Sequence, residues 1–341
     1  MMTPPTISVN MPCYNAGVTV DEAVASILAQ TWRDLELIAV DDGSADDTAS
    51  RLEAWAGRDP RVRVVRREHT GLVATLNAGL KLCRGAFVAR HDADDIALPE
   101  RLEAQAAWLH REPTLAVVGC LVEGFPVEDV REGFRVYLEW MNSLVSPEAI
   151  ARQIFVESPL AHPSMMFRRG WLDRLGGYQD LGWPEDYDLL LRIHLASGRL
   201  GKVPRILQRW REHPGRLTRT DSRYSLEAFL RAKAHYLRRG PLASGPRVIV
   251  WGAGHMGRRL SKHLVREGID LIAFVDVDPA KIGRERRGRP IVGPDDLPRL
   301  VRENSPAAVL AAVGARGARE LIRARLTAME LEEGRDWWAV A

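Results

Sequence analysis

Apolar and polar positions follow two rhythms along the first hundred residues. Short apolar runs rich in β-branched residues have the length of strands. Between these runs apolar residues recur at helical spacing, and Thr19 with Glu22 has the spacing of a helix-capping box. Strands and helices in alternation predict a parallel sheet with helices on both faces. The four strand-like runs are TISVNM (6–11), LELIAV (35–40), RVRVV (61–65) and AFVAR (86–90).

The pattern changes twice further along the chain. From about 103 to 200 it is looser, with a clear helical stretch at EDYDLLLRIHLAS (185–197). GPLASGP (240–246) is rich in Gly and Pro, as linkers are, and RVIVWGAG after it restarts the strand and helix alternation. We therefore expect a first domain over 1–240, a linker at 241–246 and a second domain over 247–341.

Composition adds little to this picture except in one segment. A length of 341 residues suits two domains, and 46% apolar with 27% charged residues is ordinary globular material. A net charge of +3 gives no reason to expect a nucleic-acid partner. The stretch 201–247, however, holds twelve Lys or Arg against three Asp or Glu. Such a stretch is typical of a solvated amphipathic helix, and it also permits peripheral contact with anionic lipid.

The cysteines and the N-terminal residues indicate a compartment. Cys13, Cys83 and Cys120 form neither a C-x-x-C pair nor an even-numbered set, which argues against a disulfide framework or a zinc site. The chain begins without a basic segment followed by an apolar stretch, so we expect no signal peptide. No apolar run approaches the ~18 residues that a membrane helix needs. We expect a cytoplasmic protein, with contact to the inner face of the membrane as an open alternative.

Negative charge is concentrated directly after the fourth strand, in HDADDIALPERL (91–102). A lone D-x-D is a weak signal, because solvated turns are rich in Asp. Here Asp92 and Asp94 lie on a short turn between a strand and the helix that Pro99 introduces, where ligands of parallel sheets gather. Carboxylates at such a position suit Mg²⁺ or Mn²⁺, and the alternative is a solvated loop.

Several motifs together resemble the inverting family 2 glycosyltransferases of the GT-A fold. The resemblance covers residues 5 to about 220, and it implies a mixed, mostly parallel sheet with helices on both faces. It also implies transfer of a sugar from a nucleoside diphosphate sugar, expected to be UDP-linked, to a glycan or lipid-linked acceptor in polysaccharide or glycoconjugate biosynthesis. The motifs, in chain order, are MPCYNAG, IAVDDGSADDT, VARHDADDIALPERL, HPSMMFRR, LGGY and PEDYDLLLRI.

The resemblance assigns roles on the donor side of the site. Pro12 and Tyr14, in the loop after the first strand, and Asp42 are expected to hold the nucleotide base. Asp92 is expected near the ribose and the metal, and Asp94 is expected to be the direct ligand of the cation. For Asp42 taken alone, a turn with the following glycine is an equal alternative.

The resemblance also assigns the acceptor side and the loop over the diphosphate. Asp186 matches the general base, although an Asp in the first turn of a helix is commonly a capping residue. His213, with Arg211 beside it, matches a residue near the diphosphate, and a surface loop is the alternative. His162 lies on a stretch that lines the acceptor side in the family. The alternative is that it is a hydrogen-bonded histidine of the core. Trp183 either stacks on a sugar or belongs to the core.

One position departs from the family pattern. His91 precedes the aspartates where relatives have an apolar residue. If its side chain points inward, we expect it to need a partner such as a carboxylate.

The C-terminal segment carries a second signal. Gly252, Gly254 and Gly257 have G-x-G-x-x-G spacing between a strand and a helix, and Asp276 follows the next strand, where an acid binds a ribose. The segment is therefore expected to be Rossmann-like, with a possible nucleotide such as NAD(P). After residue 245 it has no Tyr and no Cys, so a Tyr-Lys proton relay cannot form within it. Binding, regulation or homo-oligomerisation is favoured over redox chemistry, and a Rossmann fold that has lost its ligand is the alternative.

Two other functions remain open at this point. A sugar nucleotidyltransferase would also use metal-binding aspartates, but it would need a Gly-rich, basic loop after the first strand, which MPCYNAG does not supply. A nucleotide-sensing scaffold would leave the acids unused. The leading hypothesis is a metal-dependent inverting glycosyltransferase of the hexosyltransferase type.

Overall fold

A computed structural model describes residues 5–341 as two compact units. The first unit comprises the chain up to Ala151 together with Ser158–Leu181 and Glu185–Arg219. The second comprises Arg152–Glu157, Gly182–Pro184 and Thr220–Ala341. The domain bounds 1–240 and 247–341 stay a prediction about folding units.

An eight-stranded mixed sheet forms the centre of the first unit. Its order is β3-β2-β1-β4-β7-β6-β8-β5, with parallel pairing from β3 to β4 and again between β6 and β8. The short strands β7 and β5 are antiparallel to their neighbours. The strands are β1 (Ile7–Cys13), β2 (Leu35–Asp41), β3 (Val62–Arg66), β4 (Phe87–Arg90), β5 (Ile96–Ala97), β6 (Leu115–Phe125), β7 (Met166–Arg168) and β8 (Arg199–Arg211).

Helices cover both faces of this sheet. Val9 and Met11 of β1 belong to one core, together with apolar side chains of α1, α2 and α4, whereas the alternate residue Asn10 faces α3 and donates to the Leu76 carbonyl oxygen at 2.9 Å. The helices are α1 (Val20–Leu28), α2 (Thr48–Ala56), α3 (Leu72–Leu82), α4 (Arg101–Arg111), α5 (Glu132–Ser143), α6 (Pro147–Gln153), α7 (Arg169–Leu175), α8 (Glu185–Leu195) and α9 (Leu217–Thr220).

The strand register brings three loops to one edge of the sheet. Cys13 pairs with Asp41 at the ends of β1 and β2, and Asn10 pairs with Arg90 at the end of β4. Because these strands are parallel, the loops after all three leave the sheet on the same side. This edge is where ligands of parallel sheets bind.

The predicted α/β architecture with a mostly parallel sheet is confirmed, and the four predicted strands match β1 to β4 within about two residues. The predicted capping box is wrong. Thr19 is the residue before α1, but its side chain makes no capping hydrogen bond. Its hydroxyl donates instead to the Ala93 carbonyl oxygen at 3.0 Å, and Glu22 pairs with Arg211. Tertiary contacts with the acidic loop therefore replace the local motif.

The second unit contains a six-stranded sheet with the order β11-β12-β10-β9-β13-β14, parallel except for β11. Its five parallel strands therefore stand in the order third, second, first, fourth, fifth. Its elements are α10 (Leu226–Arg239), β9 (Arg247–Trp251), α11 (His255–Arg266), β10 (Leu271–Val275), β11 (Glu285–Arg286), β12 (Arg289–Val292), α12 (Leu297–Glu303), β13 (Ala307–Ala311), α13 (Ala318–Ala328) and β14 (Trp337–Ala339).

Within residues 5–341, none of the helices is both long and apolar enough to span a bilayer. The thiols of Cys13, Cys83 and Cys120 are free and buried.

Candidate functional site

The loop after β4 concentrates three carboxylates. Asp92, Asp94 and Asp95 each offer an oxygen, and these oxygens all lie within 4.8 Å of one another. Asp92 and Asp94 are half-buried, whereas Asp95 is buried. Burial and the neighbouring carboxylate of Asp94 raise the pKa values of Asp92 and Asp95. The positively charged groups around the cluster therefore do not fully compensate its negative charge.

The end of β8 holds this loop in place. The Arg211 backbone N–H donates to Asp95 Oδ1 at 2.8 Å, and its side-chain Nε donates to the Asp94 carbonyl oxygen at 2.6 Å. Gln208 Nε2 donates to Asp95 Oδ2 at 3.2 Å. Since both Asp95 oxygens accept hydrogen bonds, Asp95 positions the loop, while Asp92 and Asp94 have oxygens better placed for a ligand.

His213 reaches the acidic loop from the segment after β8. Its Nε2 lies 3.0 Å from Asp94 Oδ2. The buried carboxylate of Glu212 beside it pairs with Arg216 at 2.9 Å and with Arg219 at 2.5 Å. The Arg216 guanidinium also lies over the ring of Trp210, at 4.3 Å from the centroid. These contacts fold a basic segment next to the aspartates.

Arg90, at the end of β4, lies beneath Asp92. Its Nη2 lies 2.5 Å from Asp92 Oδ1, and the residue is 3% exposed. Its Nε and Nη1 have no hydrogen-bond partner among residues 5–341. Burial opposes the charge of this guanidinium, yet Asp92, Tyr178 and Glu185 outweigh burial and raise its pKa. The charge of Arg90 therefore interacts with the acidic loop through Asp92 and with the start of α8 through Glu185.

A buried cluster lies close enough to Arg90 to interact with its charge. His162 Nε2 is 2.9 Å from the Tyr178 hydroxyl, and its Nδ1 is 3.6 Å from Glu185 Oε1. Asn77 fixes Tyr178 through two hydrogen bonds of 2.9 Å to its backbone. Burial and the nearby Arg90 lower the pKa of His162 well below its usual range, so the ring is neutral. This geometry agrees with a hydrogen-bonded core histidine.

Asp186 lies in the first turn of α8, half-buried, and its Oδ1 accepts from the Tyr187 backbone N–H at 2.7 Å. Burial raises the pKa of Tyr178, and Asp186 and Asp92 both add to that rise. Asp92 and Asp186, which are 94 positions apart in the sequence, therefore both influence the pKa of the same phenol. The start of α8 also reaches this cluster by contact, because Glu185 lies 3.6 Å from His162, which contacts the Tyr178 hydroxyl.

Trp183, two residues before α8, packs against rings of α10. Its ring centroid lies 5.1 Å from that of His235 and 6.4 Å from that of Tyr236. These contacts favour a core role for Trp183 over stacking on a sugar.

Asp42 lies on the far side of the sheet edge, after β2. Its carboxylate is buried and accepts from the backbone N–H groups of Thr70 at 3.1 Å and Gly71 at 2.9 Å. His69 Nδ1 lies 2.9 Å from the same carboxylate, and the His69 ring stacks on the half-exposed Tyr14 at 4.2 Å. Burial opposes ionisation, but hydrogen bonds from Thr75 and the loop 70–71 keep the pKa of Asp42 low.

The ionised carboxylate of Asp42 thus holds the loop after β3 in place. A turn with Gly43 does not explain these hydrogen bonds. Pro12 is buried inside β1, where it pairs with Val40, whereas Tyr14 is half-exposed and within reach of a ligand.

His91 points inward and is fully buried. Its partner is not a carboxylate. Nδ1 lies 3.3 Å from Arg101 Nη1, and Nε2 lies 3.5 Å from the Ser26 hydroxyl. Burial and the adjacent Arg101 and Arg90 lower the pKa of His91 well below its usual range, so the ring is neutral and accepts from the guanidinium. Arg101 also donates to Gln208 at 2.8 Å, which links α4 to β8 beneath the aspartates.

The glycine-rich motif of the C-terminal segment lies in the second unit. Gly252 follows β9, and Gly254 and Gly257 open α11. Asp276 follows β10, and its Oδ2 accepts from the Ala253 backbone N–H at 2.9 Å. The predicted strand, helix and acid are therefore all present, with the acid bound to the loop that carries the glycines.

Several residues of the site were not singled out from the sequence. Asp95 was visible only as part of an acidic run. Arg90 and Tyr178 lie inside motifs quoted above but were given no role there, and Glu212 lies outside those motifs. Arg90 pairs with Asp92 and Glu212 pairs with Arg216, so the local spacing of opposite charges was a usable signal. The contact between Tyr178 and His162 depends on the fold.

Comparison with known proteins places this geometry in context. The model of the family described as "Glycosyl transferase family 2" matches residues 8–176. The chain is 31% identical to the putative glycosyltransferase EpsE of Bacillus subtilis (strain 168) over 232 residues, which are 67% of this chain and 80% of that protein. It is 32% identical to the O-antigen biosynthesis glycosyltransferase WbnJ of Escherichia coli over 188 residues, which are 55% of this chain and 71% of that one.

A solved structure has a similar fold. TarS 1–349 of S. aureus in complex with UDP-GlcNAc superposes with a TM-score of 0.57 at 22% sequence identity. The superposition covers 76% of this chain and 72% of the other. At this level of identity, the likeness concerns the fold alone.

Proposed function

Because the chain belongs to glycosyl transferase family 2 and has the GT-A fold, we propose that its site performs the following reaction. The proposed reaction moves a hexose from a nucleoside diphosphate sugar, with UDP as the expected nucleotide, to a hydroxyl of a glycan or lipid-linked acceptor. It depends on a divalent metal and inverts the anomeric configuration. The relatives include proteins of polysaccharide biosynthesis, and we propose the same setting here.

The observation that carries the proposal is the meeting of two acids around Tyr178. Asp92 of the acidic loop and Asp186 of α8 both raise the pKa of this phenol, and Arg90, which is paired with Asp92, is also acted on by Tyr178 and Glu185. An inverting transfer needs one group where the diphosphate leaves and another where the acceptor attacks, on opposite sides of the anomeric carbon. A shared neighbourhood for Asp92 and Asp186 fits that requirement.

The residues of the acidic loop fit a divalent cation. They are hard oxygen donors within 4.8 Å of one another, and their mutual repulsion is not cancelled by protein cations. Asp94 and Asp92 would hold the ion, with Asp94 as the direct ligand, and Asp95 would position the loop. A bound Mg²⁺ or Mn²⁺ would neutralise the charge that develops on the departing diphosphate.

The segment after β8 supports the diphosphate. His213 reaches Asp94, and Arg211 binds the backbone of the same loop, so both lie where the diphosphate would be held. N–H donors aimed at a site of developing negative charge stabilise the transition state without reorganising. We assign His213 a binding contact with the diphosphate.

The nucleotide base is proposed to bind at the other end of the edge, beside Asp42. The Asp42 carboxylate orders the loop 69–71, and this loop presents the His69 ring against Tyr14. An exposed aromatic pair offers a flat surface for a planar base. Asp42 therefore contributes by ordering this loop and by its negative charge, and Pro12, as part of β1, by holding the backbone that leads to Tyr14.

Asp186 is proposed as the general base. Its position at the N-terminus of α8 favours the ionised carboxylate, which can accept a proton. As the acceptor oxygen bonds to the anomeric carbon, the bond from that carbon to the diphosphate oxygen breaks. The hydroxyl proton passes to Asp186.

Peripheral contact with anionic lipid is a lesser part of the proposal. Of the twelve basic residues in 201–247, Lys202 and Lys233 are buried, and eight arginines pair with carboxylates, which reduces the charge left to attract anionic lipid. Salt-sensitive flotation of the protein with anionic liposomes would support such contact, and flotation with neutral liposomes alone would not.

The test of the proposed function is a donor screen scored by nucleotide release. Purified protein is incubated with UDP-, GDP- and dTDP-sugars, with Mn²⁺ or with EDTA, and with simple glycan acceptors. We expect release with one donor class that requires both metal and acceptor. Release that EDTA leaves unchanged would contradict metal dependence, and absence of release from every donor would contradict the assignment.

A further inference from the structure

A cavity of about 740 Å³ lies within the second unit, outside the proposed transfer site. This volume is in the range of small-molecule and cofactor sites. Its lining combines apolar side chains such as Trp251 and Met256 with charged ones, among them Lys233, Asp276 and Lys281. A few polar groups in a mostly apolar cavity are typical of a ligand site.

The cavity lies at the point where the strand order of this sheet reverses. The first strand, β9, has the second strand, β10, on one side and the fourth, β13, on the other. Because β9 and β13 are parallel, the loops that follow them leave the sheet at the same edge, and both line the cavity, through Gly252 and Gly254 of the first loop and Ala312 and Gly314 of the second. In open α/β sheets such a switch point is where ligands bind.

Two of the three motif glycines are explained by the fold itself. Gly252 has φ +115°, and a Cβ there would lie 2.8 Å from the Ala312 carbonyl oxygen. A Cβ on Gly257 would lie 1.8 Å from the Gly252 carbonyl oxygen. Neither position tolerates a side chain, whether or not a ligand binds.

Gly254 is different. Its φ of −77° and ψ of −156° are open to any residue, and no atom lies within 4 Å of a Cβ built on it. The fold therefore does not require glycine here. Because Gly254 lines the cavity, its missing side chain leaves room for a ligand to approach the backbone, as a diphosphate does at the second glycine of this motif.

Lys233 supplies an independent sign of an anionic ligand. It is 2% exposed and lines the cavity, where its Nζ donates to the carbonyl oxygens of Val156 at 2.6 Å and Val340 at 3.1 Å. Burial lowers the pKa of Lys233 and outweighs Glu157, which also lines the cavity and favours the charge of this ammonium. Burying an incompletely compensated ammonium is costly, and an anion in the cavity would supply the missing compensation.

The remaining groups fit a nucleotide. The N-terminus of α11 opens at Gly254 without a side-chain cap, so its first N–H groups are available to phosphate oxygens. Asp276 lies at the end of β10, with its Oδ1 accepting from the Asp278 backbone N–H at 3.0 Å. Lys281 Nζ is 3.3 Å from the carboxylates of both acids. A carboxylate at this strand end suits ribose hydroxyls and disfavours a ribose phosphate.

We propose that this cavity is a second nucleotide site, which binds a nucleoside diphosphate group with the diphosphate on the backbone at Gly254, the ribose at Asp276 and Lys233 as counter-ion. The site is separate from the transfer site and does not depend on its assignment. It binds without redox chemistry, since the segment after residue 245 contains neither Tyr nor Cys.

The test is isothermal titration of the full chain with ADP, NAD, NADP and UDP in EDTA, which suppresses metal-dependent binding at the transfer site. We expect about one equivalent of ADP or NAD to bind, with NADP at least tenfold weaker. Gly254→Val should weaken this binding at least tenfold without lowering the melting temperature. Lys233→Met, which removes the charge while nearly keeping the volume, should weaken it as well.

A matched control is Gly293→Val. Gly293 lies in the same unit, has φ −74° and ψ 160°, and a Cβ there would have Ile282 as its nearest neighbour at 3.6 Å. It does not line the cavity, so this variant should bind as the wild type does. UDP heat that Gly254→Val abolishes would extend the site to uridine nucleotides and support it. Absence of binding by every probe, or identical isotherms for Gly254→Val and wild type, would overturn the proposal.

Discussion

His213 Nε2 lies 3.0 Å from Asp94 Oδ2, although 119 positions separate the two residues in the chain. The contact joins the loop after β4 to the segment after β8. Arg211 strengthens the same junction, because its backbone N–H and its Nε both donate to this loop. The proposed metal ligand and the proposed diphosphate ligand are therefore parts of one site, and each can be tested against the other.

Asp94→Ala is expected to abolish sugar transfer by removing the direct ligand of the cation. Nucleotide release should fall at least a thousandfold and should not recover at raised Mn²⁺. Asp129→Ala is the control, because Asp129 is an exposed acid outside the site and its loss should not change the rate. Equal rates for Asp94→Ala and wild type would remove the metal assignment.

His213→Ala is expected to weaken donor binding more than it slows chemistry. A hydrogen bond to a charged group contributes about 1.5–3 kcal/mol, which corresponds to roughly 10- to 100-fold in affinity. We therefore expect the KM for the nucleotide sugar to rise by about that factor, measured with Mn²⁺ in excess. An unchanged KM with a lower kcat would instead place His213 on the chemical step.

Asp186→Asn is expected to separate binding from transfer. The amide keeps the shape of the side chain but cannot accept the proton of the attacking hydroxyl, so kcat should fall about 10²- to 10⁴-fold. The affinity for the donor, measured by calorimetry, should stay within twofold of wild type. Asp180→Asn, an exposed acid six residues earlier, serves as the control. Transfer by Asp186→Asn at the wild-type rate would exclude it as the base.

The parts of the structure that the sequence predicted well are those with a local cause. The strands β1, β2 and β4 are buried along their whole length, so mostly apolar runs mark them, whereas β3 is only partly buried. The acidic loop was found because three aspartates directly follow one of these runs. The family assignment from the six motifs is confirmed by the match over residues 8–176 and by relatives at 31% and 32% identity.

The parts that the sequence did not reveal depend on long-range pairing. Thr19 looked like a helix cap, but the acidic loop offers it the Ala93 carbonyl oxygen instead. His91, if it pointed inward, was expected to need a partner such as a carboxylate, and the partner is instead the buried Arg101, from which the neutral ring accepts a hydrogen bond. In both cases the partner belongs to another segment of the chain, and the two segments come together only when the sheet has formed.

Arg90→Met is expected to weaken metal binding without touching a metal ligand. Arg90 is paired with Asp92 at 2.5 Å and opposes the rise that burial and Asp94 cause in the pKa of that carboxyl. Changes to residues that orient metal ligands typically cost 10- to 100-fold in metal affinity. The Mn²⁺ concentration for half-maximal nucleotide release should rise by about that factor, and Arg90→Lys should restore part of it. A purely structural role would lower the melting temperature of Arg90→Met and leave its Mn²⁺ requirement unchanged.

Lys202 gives a prediction about stability that is independent of the site. It is a fully buried residue of β8 whose Nζ donates to the Met141 carbonyl oxygen. Burial lowers its pKa to about 7, and the nearby Cys120 offsets this only in part. The unfolded value is about 10.4. Between these two pH values the unfolded chain binds a proton that the folded chain does not, so the free energy of unfolding must rise with pH across this window.

Lys202→Met is expected to remove that dependence. From pH 7 to pH 9 the wild type should gain about 2 kcal/mol of stability relative to the variant, as measured by urea unfolding at each pH. The Met141 carbonyl oxygen loses its donor in the variant, which costs about 1–3 kcal/mol at every pH, so the diagnostic quantity is the slope and not the offset. Parallel curves for the two proteins would mean that Lys202 titrates outside this window, because its ammonium is better compensated in the folded state than burial implies.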